Sequence, residues 1–231
     1  MKTIGMIGGL SWQSTQTYYQ IINEETNKVL GDNHSARILL YSFDFDEIEK
    51  LQYAFKWDEM SLLMEKAGQK LIDAGAEVLI ICSNTMHECT NQISFSVPLL
   101  HIADAIGEDL NRLKIKNAGL LGTRFLMKSS SYSSRIENNY NITIQLPQEK
   151  QIEILNSIIY NELVKGTIIE ESKKTMLNII QSMEQEGIEA IILGCTEIPL
   201  LIQKDDCRIP VIDSTRIHAL KAVKFALEKV L

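Results

Sequence analysis

The sequence predicts an α/β protein made of two similar Rossmann-like domains. Each is a parallel sheet wrapped by helices, and pseudo-two-fold symmetry relates the two, with a cleft between them. Three observations carry this prediction. Short β-branched runs alternate with longer stretches of helical period, the mark of parallel strands joined through helices. Landmark residues recur in the same order in both halves. At 231 residues, the chain is long enough for two cores.

Taken in order, the expected strands are Lys2–Ile7, Ala36–Ser42, Val78–Ser83, Ala118–Leu121, Asn141–Gln145 and Ala190–Gly194. The most aliphatic of them read as strands buried on both faces of a sheet. The first run faintly mimics a signal peptide. Gly8-Gly9 interrupts it and it lacks a small-residue cleavage site, so it reads as a buried strand. Asp58–Ala74 is an expected helix, with Asp58 as N-cap and Gly75 just past its end. Further helices are expected at Glu149–Val164, Glu170–Gln185 and from Thr215 to Val230. Trp12, Trp57, Met60, Leu63 and Met64 fall at helical spacings and are read as core. The acidic run Asp44-Phe45-Asp46-Glu47 reads as a solvated helix start.

The internal repeat is the most informative pattern. Gly75-Ala76-Glu77-Val78-Leu79-Ile80-Ile81-Cys82-Ser83 lies over Gly187-Ile188-Glu189-Ala190-Ile191-Ile192-Leu193-Gly194-Cys195 without a gap, at an offset of 187 − 75 = 112. Pro98-Leu99-Leu100 meets Pro210-Val211-Ile212 at the same offset. Gly5-Met6-Ile7-Gly8 lies over Gly119-Leu120-Leu121-Gly122, two residues further on. The expected domains are residues 1–102 with 214–231, and residues 103–213. Ligands of such sheets bind beyond the carboxyl ends of the strands. A pseudo-two-fold cleft would present one matching residue from each half to opposite sides of a ligand, the geometry for exchanging a proton on both faces of one carbon.

Composition narrows the function. There are 23 Lys and Arg against 30 Asp and Glu, a net charge of −7 with no basic cluster, which excludes a binder of the nucleic-acid backbone. No apolar run approaches the roughly 18 to 20 residues that span a bilayer, so no membrane role is expected. Cys82, Cys89, Cys195 and Cys207 do not make a disulfide framework in a chain this long, and the cytoplasm is the expected compartment. Asn141-Ile142-Thr143 is then an incidental match to a glycosylation pattern. His34, His87, His101 and His218 are scattered, with no metal-ligand spacing, so no metal is expected.

The repeat pairs Ser83 with Cys195 at the strand ends. Successive strand side chains point to opposite faces, so Ser83 is assigned to the cleft and Cys82 to packing. Thr196-Glu197 and a helix start through Pro199 read as an electropositive turn that would lower the Cys195 thiol pKa from roughly 8.5 toward neutral. His87 reads as a satisfied structural histidine.

Three motifs resemble those of the aspartate/glutamate racemase family: Gly8-Gly9-Leu10-Ser11-Trp12-Gln13-Ser14-Thr15, Cys82-Ser83-Asn84-Thr85-Met86-His87 and Gly194-Cys195-Thr196-Glu197-Ile198. The resemblance spans the chain, including Leu121-Gly122-Thr123-Arg124 and the segment from Asp213 to His218. It implies racemisation of aspartate or glutamate without a cofactor, in a homodimer. In the family pattern one cysteine takes the α-proton and its opposite returns one to the other face. Here the first cysteine is replaced by Ser83. A hydroxyl does not sit as an alkoxide at pH 7, and activating it would need an adjacent base. The expected scheme is therefore asymmetric. Cys195 is the base facing the L-substrate, and Ser83 is the donor, directly or through water.

For substrate grip, Gly9, Ser11 and Thr15 form a strand-to-helix turn whose N–H groups could hold a carboxylate. Asn84, Thr85 and Thr196 offer donors at the facing turns, and Thr123 matches Gly9 in the repeat. Lys165 stands where the resemblance implies a substrate lysine. The arginine that the resemblance implies after the second strand is absent, and Gln52 is the nearest polar replacement. Other readings on the same residues are a single-thiol decarboxylase, a cis–trans isomerase of dicarboxylates, and a non-catalytic protein that binds an acidic amino acid.

Overall fold

The computed structural model describes residues 1–228 and divides the chain into two units, residues 1–102 with the segment from His218, and residues 103–217. The first begins with β1 (Ile4–Gly8), α1 (Trp12–Leu30) and β2 (Ile38–Ser42). Next come α2 (Phe45–Tyr53), α3 (Trp57–Asp73) and β3 (Val78–Ile81). The strands are parallel in the order β2-β1-β3. After a 3-10 turn at Thr85–Thr90, the chain enters α4 (Ile102–Arg112). The second unit continues with β4 (Asn117–Leu121), α5 (Arg124–Lys128), α6 (Ser130–Tyr140) and β5 (Thr143–Gln145). It closes with α7 (Glu149–Asn161), α8 (Glu170–Gln185), β6 (Ala190–Leu193) and β7 (Val211–Asp213), before α9 (Ser214–Leu227). Its sheet is parallel, in the order β5-β4-β6-β7.

The strands β1, β3 and β6 are buried along their whole length, which is why they read as unbroken aliphatic runs. Opposite faces of the first sheet feed different clusters. Met6, Ile80 and Cys82 pack with Tyr18 and Ile22 of α1 and with Ala222 and Val223 of α9. Ile7, Leu79 and Ile81 pack with Met60, Met64 and Leu71 of α3. In the second unit α7 and α8 cover one sheet face through Ile152, Leu155, Met176 and Ile180.

The repeat is carried by backbone geometry as well as by residue type. Gly5 pairs with Leu79 and Gly119 with Ile191. Leu79 bridges Leu99 just as Ile191 pairs with Val211. The Leu79 and Ile191 N–H groups donate to the Pro98 and Pro210 carbonyls at 2.8 and 2.9 Å. Gly75 and Gly187 adopt φ of 102° and 101°, a region that L side chains avoid.

Several local expectations change. The α3 N-cap is Lys56, and Asp58 sits in the first turn, where a carboxylate favours the helix dipole. The α7 helix stops at Asn161, because Leu163–Lys165 forms a separate 3-10 turn. Trp12 is not core: it is 65% exposed, while Met60 and Met64 are fully buried. On α1 the buried positions are Ser14, Thr15, Tyr18, Ile22 and Thr26, so hydroxyls take places that an apolar rule would give to larger residues. The expected helix end at Val230 lies outside the described residues. Among those described, no helix is long and apolar enough to cross a membrane.

Candidate active site

In the first unit the turn after β1 is braced by its own residues. Gly9 has φ +71°, and a Cβ there would fall on the backbone of Phe43. Its N–H donates to Thr15 Oγ1 at 2.8 Å, and that hydroxyl donates to the Ser11 carbonyl at 3.0 Å. Ser11 Oγ caps α1 by accepting from Ser14 N–H at 3.2 Å. The Gly9 N–H and the Thr15 hydroxyl are thus both engaged within the turn itself.

Beyond β3 the two neighbouring residues separate. Cys82 is buried in the core with its N–H on the Ile7 carbonyl at 2.9 Å, and burial pushes its thiol pKa far up. Ser14 Oγ donates to its carbonyl at 2.8 Å. Ser83 is half-buried and its Oγ accepts from Met86 N–H at 3.4 Å. Asn84 is buried and Thr85 half-buried at the start of the 3-10 turn. Gln52, on α2, reaches this turn: its Nε2 donates to Met86 Sδ at 3.2 Å. Gln52 is only 3% exposed, and its Oε1 has no hydrogen-bond partner among the described residues. An orphaned buried acceptor costs about 1 to 3 kcal/mol.

In the second unit Thr123 caps α5, accepting from Leu126 N–H at 3.2 Å. Cys195 lies two residues past β6 and is 9% exposed. Its Sγ donates to Glu197 Oε2 at 2.9 Å, and Thr196 Oγ1 donates to the same oxygen at 2.7 Å. Glu197 is itself buried. Burial first, and the Glu197 charge second, hold the Cys195 thiol well above its ordinary pKa. The expected lowering is thus corrected. The helix start through Pro199 is a 3-10 turn of three residues, Ile198–Leu200, and the group that accepts from the sulfur is a carboxylate. Lys165 is exposed at the end of its 3-10 turn, with Gly166 behind it at φ +74°, and makes no ion pair among the described residues.

Sequence reasoning missed the role of Glu197. Its signal was available: a carboxylate two places after a strand-end cysteine is within hydrogen-bond reach once the chain turns. Each unit thus gathers its own polar cluster. The first gathers Ser83, Asn84, Thr85 and Gln52 around one turn, and the second gathers Cys195, Thr196 and Glu197. Among the described residues, no group of three or more His, Cys, Asp or Glu is placed to hold a metal ion. The thiol–carboxylate pair can pass a proton without changing its summed charge, which suits an acid–base role.

Comparison with known proteins identifies the family. Residues 7–222 match the model of the family described as Asp/Glu/Hydantoin racemase. A glutamate racemase of Persephonella marina is 30% identical over 166 residues, 68% of this chain and 61% of that protein. The chain therefore aligns with less than two thirds of that relative's length. A crystal structure of a putative Asp/Glu racemase from Yersinia pestis superposes with a TM-score of 0.93 at 43% identity, covering 98% of this chain and all of that one. An aspartate racemase homologue from Pyrococcus horikoshii gives 0.84 at 32% identity, covering 98% of this chain and 99% of that one.

Proposed function

The chain belongs to the Asp/Glu/Hydantoin racemase family of isomerases, and on that premise we propose that it racemises aspartate or glutamate without pyridoxal phosphate. Cys195 is the base toward the L-enantiomer, and Ser83 supplies the proton on the opposite face of the α-carbon. The observation that carries this reading is the 2.9 Å bond from the Cys195 thiol to Glu197. A thiol alone in a buried, anionic setting is a poor base. Paired with a carboxylate it becomes a relay. Transfer of the thiol proton to Glu197 gives a thiolate beside a neutral carboxyl, and the pair keeps a charge of −1 through that transfer.

The thiolate then takes the Cα proton, which leaves the Cys195–Glu197 pair neutral, and the electron pair left on carbon takes a proton from Ser83 Oγ–H or from water held by it. Solvent returns a proton to Ser83 as the pair releases one, so the site is reset without a lasting alkoxide. Met86 N–H, at 3.4 Å from that oxygen, is positioned to steady the charge left behind. Lys165 is assigned to a substrate carboxylate and Gln52 to the end of the substrate side chain. Asn84, Thr85 and Thr196 supply further polar contacts, while Gly9, Ser11, Thr15 and Thr123 shape the turns. The two enantiomers have equal free energy, so kcat/KM must match in both directions at equilibrium whatever the asymmetry of the site. The reading places the enzyme in the cytoplasm as a homodimer, the latter checked by sedimentation.

The test is α-proton exchange in deuterated buffer, followed by NMR on L- and D-aspartate and L- and D-glutamate separately. Exchange of an L-substrate that vanishes in Cys195→Ala supports the scheme. Silence on all four substrates, in Ser83→Cys as well, would reject it and favour decarboxylation, cis–trans isomerisation or binding alone.

A further inference from the structure

Three of the four histidines meet inside the first unit. His87 and His101 rings lie 4.6 Å apart between centroids, and His87 and His218 rings 5.4 Å apart. Tyr18 meets His218 edge-on at 5.6 Å. All four side chains are buried. The partners of two rings fix their protons. His87 Nδ1 is 2.7 Å from the Ser83 carbonyl oxygen, which can only accept, so Nδ1 carries the hydrogen. His87 Nε2 is 3.2 Å from the Ile102 N–H, which can only donate, so Nε2 carries none. His218 is set in the opposite sense. Its Nε2 donates to the Leu100 carbonyl at 2.7 Å, and its Nδ1 accepts the Tyr18 hydroxyl at 2.8 Å.

We propose that His87 is a positioning residue for Ser83, held as the neutral Nδ1–H tautomer so that it grips the Ser83 carbonyl and fixes the hydroxyl's direction. The turn is short enough for this to act directly. Met86 N–H reaches Ser83 Oγ, His87 N–H reaches the Asn84 carbonyl at 3.2 Å, and His87 Nδ1–H returns to Ser83 itself. One ring therefore closes the loop that carries the donor hydroxyl. His101, tilted by 57°, and His218, edge-on, pack against it and limit its rotation. The role rests on Ser83 being the proton donor, as proposed above. It goes beyond a satisfied core histidine because it predicts an effect on one half of the reaction only.

The two amides that resemble imidazole separate the bonds. His87→Asn places an N–H where Nδ1–H sits and keeps the grip on Ser83. His87→Gln places its amide near Nε2 and keeps only the bond to Ile102. Two rates are read on the preferred L-substrate: α-proton exchange, which needs Cys195, and formation of the D-enantiomer, which also needs Ser83. The expected result is that His87→Gln lowers the ratio of inversion to exchange by about tenfold, the scale of one well-placed hydrogen bond. His87→Asn should restore most of that ratio. A fall in both rates together, or an unchanged ratio in both variants, overturns the inference while leaving the racemase reading intact. Absence of exchange in the unmodified protein overturns both. NMR of the imidazole nitrogens in the unmodified protein gives a test that does not depend on folding of the variants. Nδ1 protonated and Nε2 bare is expected, and the reverse tautomer overturns the proposal.

Discussion

Glu197→Gln removes one charge 2.9 Å from the Cys195 sulfur while keeping the shape of the side chain. At that separation and an effective dielectric of about 20, two unit charges interact with about 6 kcal/mol. The carboxylate charge is shared by two oxygens, and the surroundings relax, so a quarter to a half of that figure is a realistic net effect, about 1.5 to 3 kcal/mol. At 1.36 kcal/mol per pH unit, the thiol titration should fall by about one to two pH units. The same substitution deletes the group that receives the thiol proton, and general-base assistance is worth about 10²- to 10⁴-fold. Two observables therefore move in opposite directions. Alkylation of Cys195 by iodoacetamide, followed by peptide mass spectrometry against pH, should reach its midpoint at lower pH. Exchange of the L-substrate α-proton should slow by about 10²-fold or more. An alkylation midpoint that stays put or rises, or exchange at the unmodified rate, would refute the thiol–carboxylate relay.

Ser83→Cys should raise α-proton exchange on the D-substrate above the rate that inversion alone gives in the unmodified protein, measured by NMR, while exchange on the L-substrate persists. Gln52→Arg should raise the preference for aspartate or glutamate over asparagine or glutamine by about tenfold in kcat/KM, because it supplies a cation in place of a neutral amide. His218 is pushed down to about 3, from an ordinary 6.5, mainly by burial and then by His87. The unfolded chain thus binds more protons than the folded one between those values. Stability from this group is complete above pH 6.5 and is lost as pH falls toward 3, at up to about 1.4 kcal/mol per pH unit. Urea midpoints from pH 7 to pH 4.5 should fall accordingly, and less steeply in His218→Asn. Gly9→Ala should cost about 3 to 5 kcal/mol in chemical denaturation, since a Cβ meets the Phe43 backbone as well as an unfavourable φ. Gly166→Ala has a similar φ but open space around it, and should cost only about 1 to 2 kcal/mol.

The parallel strands were legible because burial on both faces demands aliphatic runs, and β1, β3 and β6 obey it. The edge of the second sheet was not. Val211–Asp213 is too short for a run to form, although its flanking Pro210 belongs to the repeat. Trp12 was misread because helix periodicity gives spacing but not which face is buried. Ser14 and Thr15 win the inner face of α1 by spending their hydroxyls on the Cys82 and Ser11 carbonyls. The position of Cys195 was legible from the repeat, but its acidity was not. Sequence proximity of Thr196 and Glu197 indicated a polar turn without saying which polar atom would face the sulfur. The histidine cluster was illegible for a different reason: His87, His101 and His218 meet only through folding, across 131 positions of chain between the first and the last (218 − 87).

The matching registers of the two sheets bear on how such a protein can drift. Ser83 and Cys195 both stand two residues past the end of their strands, where the ladder no longer dictates the side chain. Exchanging a sulfur for an oxygen at either place leaves every strand pairing untouched. The ladders of the two halves, which end at Ile81 and Leu193, therefore make no demand on which atom stands at either place. Unequal chemistry on equal frames is a state the architecture permits at little structural cost.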